Sequence, residues 1–385
     1  MMLIFLIVVL GIYFAGNYYV FIRSSVLLPQ FKWVKIVYTI VFMMAVLSFV
    51  IFQIFERKFN MPGITGVLAW SGAIWMAVLL YSFFGFLVVD ILKWVIKFSG
   101  ISIINAKYTS LVKVIFPALF FTWIVILIIT GYYNAVNTKV THINIAVNKQ
   151  VPQTDALEIV MVSDVHLGHI IGEKRVKKLV EIINSQNPDI VFIAGDLLDQ
   201  DLKPVINADL LKHFKEIKSK YGMFAITGNH EFIGDINKTA AYIQKSGIPL
   251  LRDNAIVIDN KFVVIGRNDK DMKRFSGTDR LSYTELLKGI DTSIPVILLD
   301  HQPYHLNEVA TYPVDLQLSG HTHKGQLFPF NFITSAIFDQ HYGYLKLKNT
   351  HFYISSGFGT WGPPVRLGSQ SEIVKITMNF IKNTD

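Results

Sequence analysis

The chain has 385 residues, enough for about two to three domains at roughly 150 residues each. A hydrophobic fraction of 52% with only 17% charged residues is too apolar for an ordinary soluble protein. The net charge of +8 is uneven: residues 1–150 carry 11 Lys and Arg against two acidic residues, whereas the remainder carries 25 against 26. The basic charge therefore belongs to membrane-flanking segments, which argues against a nucleic-acid partner. The absence of Cys excludes disulfides and thiolate metal sites.

Four apolar stretches are long enough to cross a bilayer, which takes about 20 residues of helix. They are Leu3–Ile22, Val34–Phe55, Thr65–Val89 and Val114–Tyr133. The first is interpreted as a retained helix because it lacks the basic start and cleavage site of a signal peptide. We therefore expect a transmembrane region of about four helices over residues 1–135, a linker over 136–154 and a catalytic domain over 155–385.

The short loops indicate an orientation, because cytoplasmic loops carry an excess of Lys and Arg. Seven basic residues fall on one face and four on the other. The first set is Arg23, Lys32, Lys35, Lys93, Lys97, Lys107 and Lys113, and the second is Arg57, Lys58, Lys139 and Lys149. This bias predicts a multi-pass protein of the cell membrane with both termini, and hence the catalytic domain, on the extracytoplasmic side.

After the fourth stretch, short β-branched runs alternate with helical periods. Strands are predicted at Leu157–Val162, Ile190–Ala194 and Phe224–Thr227, with a helix around Val205–Lys220 between the last two. Further strands are expected at Phe262–Ile265, Val296–Leu299, Leu316–Leu318 and Phe352–Ile354. Alternation at this spacing predicts βαβ units, in which ligands bind beyond the carboxyl ends of the strands.

Five short blocks of metal-ligand side chains stand at such strand ends. They are Asp164-Val165-His166, Gly195-Asp196, Gly228-Asn229-His230-Glu231, His301, and Gly320-His321-Thr322-His323. Asp, Asn and neutral imidazole suit divalent cations such as zinc, manganese and iron(II), and the set exceeds what one ion can use. Two ions about 3.5–4 Å apart form a clamp for phosphoryl transfer. The pattern therefore indicates a phosphoesterase.

In this order the blocks resemble the calcineurin-like metallophosphoesterases. The resemblance covers about residues 155–375 and includes Ser355–Arg366, a block similar to the membrane-associated bacterial branch. It implies an α/β fold, a four-layer sandwich of two mixed β-sheets flanked by helices, here preceded by an all-α four-helix transmembrane region. It also implies two divalent ions per subunit, with manganese, zinc and iron all open.

The resemblance further implies a division of the ligands between the ions. One metal would be held by Asp164, His166, Asp196 and His323, and the second by Asn229, His301 and His321 with Asp196 bridging both. His230 would face the substrate and assist the leaving group as the catalytic residue. Glu231 could orient His230 or merely complete a turn.

Other positions have open roles in the sequence. Arg366, after Gly-Pro-Pro, could bind the substrate phosphate or form an ordinary ion pair. Lys324 and the segment Gly266–Asp269 depart from the family pattern near the pocket, so a specific substrate is not transferred. His169 and His305 are expected at the surface or behind the ligands, and the remaining histidines, His142, His213, His341 and His351, are expected to be structural.

These features predict a membrane-anchored phosphohydrolase, acting on a phosphodiester, pyrophosphate or monoester through in-line attack of a metal-bound hydroxide. Its partners would be the lipid bilayer and a phosphate-ester substrate, which could be lipid-linked or envelope-derived. A UDP-diacylglucosamine-type pyrophosphatase is one version, but it requires a cytoplasm-facing site, against the loop charges. A non-enzymatic membrane sensor with a structural metal site is the alternative, whereas a transporter is disfavoured because the spans contain almost no polar residues.

Overall fold

A computed structural model describes residues 2–59, 61–99 and 109–381. The chain divides into two compact units, Met1–Tyr132 with Gly362–Val365 and Tyr133–Trp361 with Arg366–Asp385. The expected basic residue Lys107 lies outside the described residues. The second unit begins before the expected domain boundary, inside the last turn of the fourth helix.

The first unit is built from long apolar helices. In the described part of the chain they are α1 (Met2–Leu27), α2 (Lys32–Lys58), α3 (Pro62–Ser99) and α4 (Thr109–Val136). All four are long and apolar enough to cross a membrane, so the four predicted spans are confirmed as helices of that kind. Gly72 allows α2 and α3 to approach closely, since a Cβ there would lie 2.9 Å from the Cα of Phe49.

The second unit contains two six-stranded mixed sheets. Its strands are β1 (Lys139–Val147), β2 (Ala156–Val162), β3 (Ile190–Ala194), β4 (Met223–Ile226), β5 (Leu250–Leu251), β6 (Asn254–Ile258), β7 (Phe262–Gly266), β8 (Val296–Leu299), β9 (Leu316–Ser319), β10 (Gly343–Leu347), β11 (Thr350–Ile354) and β12 (Glu372–Phe380). The first sheet has the order β1-β12-β2-β3-β4-β5 and the second β10-β11-β9-β8-β7-β6. Strands β2 to β5 run parallel, as do β11, β9, β8 and β7.

Helices cover the outer faces of both sheets. They are α5 (Glu173–Ser185), α6 (Lys203–Asn207), α7 (Asn229–Ile233), α8 (Ile236–Lys245), α9 (Met272–Ser276), α10 (Tyr283–Leu286), α11 (Leu306–Val309) and α12 (Phe330–Ile337). Side chains of each strand alternate between two cores. Val160 packs toward the outer core with α5, whereas Ile159 packs between the sheets against residues such as Ile297. The predicted four-layer α/β sandwich is therefore confirmed.

Two details of the predicted organisation differ from the structure. Residues 136–154, expected as a linker, contain β1, which pairs in parallel with β12 at the edge of the first sheet. The expected helix at Val205–Lys220 is instead α6 followed by a 3-10 helix at Leu210–Glu216. The break occurs at Asp209, whose φ of 48° is left-handed and cannot continue an α-helix.

Phe192 on β3 is completely buried between the two sheets. We predict that Phe192→Ala lowers the free energy of unfolding by about 3–5 kcal/mol, because it removes apolar contacts and leaves a cavity. The measurement is urea-dependent proteolysis of the purified full-length protein in detergent. Phe275→Ala, at a phenylalanine that is 43% exposed on α9, is the matched control and should change stability by less than about 0.5 kcal/mol. Equal losses in both variants would contradict the assigned core.

Candidate metal centre

The candidate ligands lie at the carboxyl ends of five parallel strands. Asp164 and His166 follow β2, Asp196 follows β3, Asn229 follows β4, His301 follows β8, and His321 and His323 follow β9. Because β2, β3 and β4 belong to the first sheet and β8 and β9 to the second, the ligands of both sheets converge at one edge of the sandwich. The structure thus brings together all seven residues that the sequence singled out.

Five of these residues have left-handed backbone conformations. Their φ angles are 52° for Asp164, 51° for His166, 51° for Asp196, 71° for His321 and 48° for His323. Such conformations cost about 1–3 kcal/mol each in a non-glycine residue and persist where the surroundings enforce them. Clustering of this strain at one edge indicates a site built for geometry rather than for stability.

Two glycines of the motif blocks are required by close approach. A Cβ at Gly228 would collide with the Asp196 carboxylate, and a Cβ at Gly320 would collide with the Asp164 carboxylate. Neither carboxylate could keep its place beside a larger residue. The glycine that precedes Asn229 and the one that precedes His321 therefore make room for candidate ligands on a neighbouring strand.

The first ligand cluster consists of Asp164, His166 and His323, all buried. The Nε2 atoms of His166 and His323 are 3.1 Å apart, and Nε2 of His323 lies 3.4 Å from Oδ1 of Asp164. Burial, the largest influence, lowers the pKa of His166 to about 3. A neutral imidazole keeps a lone pair available, which is the form that binds a metal ion.

The second cluster consists of Asp196, His301 and His321, with Asn229 beside it. Nδ1 of His301 lies 2.8 Å from the carbonyl oxygen of Ala194, so this nitrogen donates and Nε2 carries the lone pair in the neutral ring. That Nε2 faces Oδ2 of Asp196 at 3.1 Å, and Oδ1 of Asn229 lies 3.0 Å from Nδ1 of His321. A histidine whose other nitrogen donates to a carbonyl is the usual arrangement of a metal ligand.

Electrostatics shows that this cluster needs a positive charge between its acceptors. Burial lowers the pKa of His301, but the nearby carboxylates, Asp196 foremost, raise it more, to well above its usual value. For Asp196 the two influences have the opposite signs: burial raises the pKa of the carboxyl, but the neighbouring His301 and His230 bring it well below its ordinary range. Either a proton on Nε2 of His301 or a divalent cation can occupy that position. The donor set therefore fits a metal ion.

Asp196 lies between the two clusters. Its Oδ2 is 3.1 Å from Nε2 of His301 in the second cluster and 3.9 Å from Nε2 of His166 in the first. Asp164 approaches from the other side, with Oδ1 3.9 Å from Nε2 of His301. The two sets of ligands therefore adjoin at the Asp196 carboxylate.

His230 lies beside the clusters and is held by acidic groups. Its Nδ1 is 3.0 Å from Oδ1 of Asp199, and its backbone N–H donates to Oδ1 of Asp196 over 2.9 Å. Burial lowers the pKa of His230, but Asp196 and Asp199 outweigh it and raise the pKa to about 9. Asp199 was not among the residues predicted from the sequence. The spacing Gly195-Asp196-x-x-Asp199, which places a second carboxylate just beyond the candidate ligand, was the available signal.

Glu231 does not orient His230. Its buried carboxylate accepts hydrogen bonds from the backbone N–H groups of Asp196, Leu198 and Gly228 at 3.1, 2.9 and 2.7 Å. Burial raises its pKa to about 8. Glu231 thus joins the loop after β3 to the start of α7. Of its two expected roles, orienting His230 and completing a turn, the structure supports the second.

Arg366 has neither of its two expected roles. It is completely buried and donates to the carbonyl oxygens of Gly357 and Gly359, to Ser369 and to the carbonyl of Gln370. Its Nη2 also lies 3.3 Å from Nδ1 of His323. The guanidinium is therefore occupied by backbone, which corrects the expected contact with substrate phosphate. Arg366 instead holds the Gly357–Gly359 loop, which packs on Asp164 and Val165.

Asp269, which follows β7, is a second acidic residue that was not predicted from the sequence to belong to the site. It is completely buried, and its Oδ1 accepts from Nε2 of Gln302 over 2.8 Å. Burial raises its pKa to about 7. Gln302 follows the candidate ligand His301 directly. The segment Gly266–Asp269, which departs from the family pattern, therefore supports the loop that carries His301.

The remaining histidines have separate surroundings. His213 lies near Glu173 and Glu216, His341 bonds to Thr334, and His351 bonds to the Ala146 carbonyl. His142 and His305 are exposed and His169 is half-buried. None of the six belongs to the ligand groups found among the described residues.

A four-layer α/β sandwich with clustered Asp, Asn and His at the strand ends, beside an Asp-paired histidine, defines a metal-dependent phosphoric ester hydrolase. The sequence profile of the calcineurin-like phosphoesterases matches residues 157–325. The chain belongs to the calcineurin-like metallophosphoesterase family, as its sequence motifs predicted.

Three relatives illustrate the match. An uncharacterized metallophosphoesterase of Campylobacter jejuni is 31% identical over 98% of both chains. One from Aquifex aeolicus is 36% identical over 60% of this chain and 88% of its own length. A transmembrane protein with metallophosphoesterase domain from Danio rerio is 30% identical over 66% of this chain and 60% of its own. The similarity to the first extends through the four apolar helices.

The Asp199 contact predicts a pH effect. We expect Asp199→Asn to lower the pKa of His230, because one of the carboxylates that raise it is removed. If protonated His230 is required, the alkaline limb of the pH–kcat profile should move to lower pH by about one to three units. Asp201→Asn, at an aspartate two positions further along, is the control and should leave the limb in place. An unshifted limb in the Asp199 variant would show that this carboxylate does not govern His230.

Proposed function

We propose that the protein is a membrane-anchored, dinuclear metal-dependent phosphohydrolase. The observation that carries the proposal is the position of Asp196 between two ligand clusters, with Oδ2 3.1 Å from His301 and 3.9 Å from His166. A single carboxylate shared by two cations reduces the repulsion between them. Manganese, zinc and iron are the candidate ions, since the donors are oxygen and imidazole nitrogen.

In this proposal each cluster holds one ion. Asp164, His166 and His323, with Asp196, would hold the first, and Asp196, His301 and His321, with Asn229, would hold the second. When bound, divalent cations polarise phosphoryl oxygens and make water acidic enough to attack in line. The residues supply fixed positions: the left-handed backbone and the buried imidazoles leave the donors little freedom to move.

His230 acts on the leaving group. Its Nδ1 is paired with Asp199, so Nε2 is free to carry a proton toward the departing oxygen. Protonated imidazole donates to that oxygen as the ester bond breaks, a contribution typically of about 10²–10⁴-fold. Asp199 fixes the tautomer and orientation of the ring. A purely structural metal site would have no use for this pair.

The substrate class is a phosphodiester, pyrophosphate or monoester that the protein meets near a bilayer. Support comes from the four apolar helices and from β1, which begins three residues after the end of α4. The tether keeps the active site close to lipid, which favours lipid-linked or envelope phosphate esters. A UDP-diacylglucosamine-type pyrophosphatase remains one version if the domain faces the cytoplasm.

Metal removal tests the chemistry. We expect chelation to abolish turnover of a chromogenic phosphodiester panel, and added manganese, zinc or iron to restore it. Asp196→Asn should lower both metal content and turnover by at least about 100-fold, since substitutions behind the ligands already cost about 10–100-fold. His230→Asn is the matched variant: it should keep the metal content while turnover falls at least about tenfold. Full activity of the Asp196 variant would contradict the shared-carboxylate site.

Sidedness can be tested with single cysteines, because the chain has none. We expect a membrane-impermeant maleimide to label Val257→Cys, at an exposed position of β6, in intact cells. Lys93→Cys, at an exposed position in the last two turns of α3 that is expected on the cytoplasmic face, should be labelled only after permeabilisation. The reverse pattern would place the catalytic domain in the cytoplasm and favour the pyrophosphatase version.

A further inference from the structure

Helix α12 exposes its apolar side chains. Phe332, Ile333 and Ile337 are 62%, 55% and 56% exposed, and none of the eight residues of the helix is buried. Phe328, which is 50% exposed just before the helix, packs against Phe332 with ring centroids 5.8 Å apart. A contiguous group of large apolar side chains on one element differs from the scattered exposed residues of an ordinary surface.

The helix is attached to the sandwich through its polar side. Oγ1 of Thr334 lies 2.8 Å from Nδ1 of His341, whose carbonyl oxygen accepts from Thr322 over 2.6 Å. The backbone of Asn331 lies directly against Gly325, where a Cβ would collide with it. Asn331 and Thr334 therefore face protein while the large apolar side chains face outward, the reverse of a helix on a water-soluble domain.

A further exposed aromatic side chain lies near the metal centre and is tied to the segment that precedes α12. The side-chain amide of Gln326 bonds to both the N–H and the carbonyl oxygen of Trp361 at 2.9 Å, joining the segment before α12 to this tryptophan. Trp361 is 58% exposed, and its ring lies 6.5 Å from that of His230. We name Phe328, Phe332, Ile333, Ile337 and Trp361 the apolar rim. One end of this rim borders the candidate leaving-group site.

The same part of the sandwich holds the last turn of α4. Asn134 donates to the carbonyl of Arg366 over 3.1 Å, and the next residue, Leu367, accepts from the N–H of Phe328 over 2.7 Å. Arg175 donates to the carbonyls of Ala135 and Val136 at 2.9 and 2.6 Å. The end of a candidate membrane span and the start of the apolar rim are therefore two hydrogen bonds apart.

Positive charge lies beside this junction. Lys139 and Lys324 line a cavity of about 320 Å³ together with Asn134, Tyr342 and a single acidic residue, Glu372, and Nζ of Lys324 lies 4.3 Å from the centroid of the Tyr342 ring. Neither ammonium group forms an ion pair with any side chain in the described ranges. Lysines near a membrane surface are attracted by anionic headgroups. An apolar surface with adjacent cationic groups is complementary to a lipid leaflet.

We propose that the apolar rim enters the leaflet of the bilayer at which α4 ends, so that the metal centre meets phosphate esters in the headgroup layer. This rests on the proposed membrane anchoring and phosphohydrolase function. In this proposal lipid contacts the apolar rim. The substrate class follows: a phosphate ester or pyrophosphate that is anchored in the bilayer by acyl chains, of which a lipid phosphodiester is the form tested below.

Lipid contact can be measured independently of turnover. An environment-sensitive fluorophore is attached in the Phe332→Cys and Val257→Cys variants of the full-length protein, in vesicles of phosphatidylcholine and phosphatidylglycerol. We expect nitroxide-labelled lipid to quench the first fluorophore and aqueous iodide to quench the second. Iodide quenching of both would overturn the proposal. Protection of the first from both quenchers would also overturn it, since a second copy of the chain would then cover the rim.

Turnover tests the substrate class. The Phe332→Ser/Ile333→Ser double variant is compared with Val257→Ser, each loaded with metal and reconstituted in vesicles. The substrates are two p-nitrophenyl phosphodiesters, one esterified to diacylglycerol and one water-soluble. We expect the rim variant alone to lose at least about tenfold in kcat/KM on the lipid ester, since each side chain gives up apolar contact with lipid. Its activity on the soluble ester should stay within about twofold.

Equal losses on both esters, or none on either, would overturn the proposed substrate class. An unsubstituted protein that hydrolyses no phosphodiester or monoester in the presence of any of the metals would contradict the proposed function instead. Quenching by labelled lipid would in that case still support the seating of the rim. The two failures are therefore distinguishable.

Discussion

The catalytic unit depends on one unfavourable arrangement: hydrogen-bond acceptors face each other in a buried site. Nε2 of His301 and Oδ2 of Asp196 are 3.1 Å apart, and Nε2 of His166 and His323 are likewise 3.1 Å apart. Buried acceptors repel unless a positive charge lies between them. Five left-handed residues add to this cost. A fold that maintains such a cluster must supply stability elsewhere and must gain it back when cations bind.

The support comes from two buried ionisable side chains that bond to backbone. Glu231 accepts three N–H groups from the loops that carry Asp196 and Asn229, and Arg366 donates to carbonyls of the loop against Asp164. An acidic and a basic side chain thus have similar structural roles. Each fixes the backbone path that aims a candidate ligand, so its loss would loosen the ligand geometry without removing a donor. Bonds to backbone thus compensate the cost of burying both polar groups.

The parts of the fold that could be predicted from sequence are those with a local signal. Strands β2 and β3 are buried on both faces, so they occur as continuous apolar runs that end at a motif block. Strand β1 gave no such signal because it lies at a sheet edge with alternating exposure, and its partner β12 is more than 200 residues away. The role of Arg366 was equally hidden, since its partners are carbonyls that only the folded loop assembles. The convergence of the seven candidate ligands could be predicted because each stands shortly after an apolar run that forms a strand.

Helix α12 shows where composition cannot decide between two environments. Its sequence, with Phe332, Ile333 and Ile337 on one side, would fit a helix packed on a soluble core. Only the bonds of Thr334 and the close contact at Asn331 reveal that the other side faces the protein. The segment from His323 to α12 is short, so the same loop that carries a candidate ligand also carries the apolar helix. In the proposed arrangement, the backbone that would hold a cation and the helix that would contact lipid are therefore parts of one continuous segment, so the orientation of α12 is fixed by the same loop that positions His323.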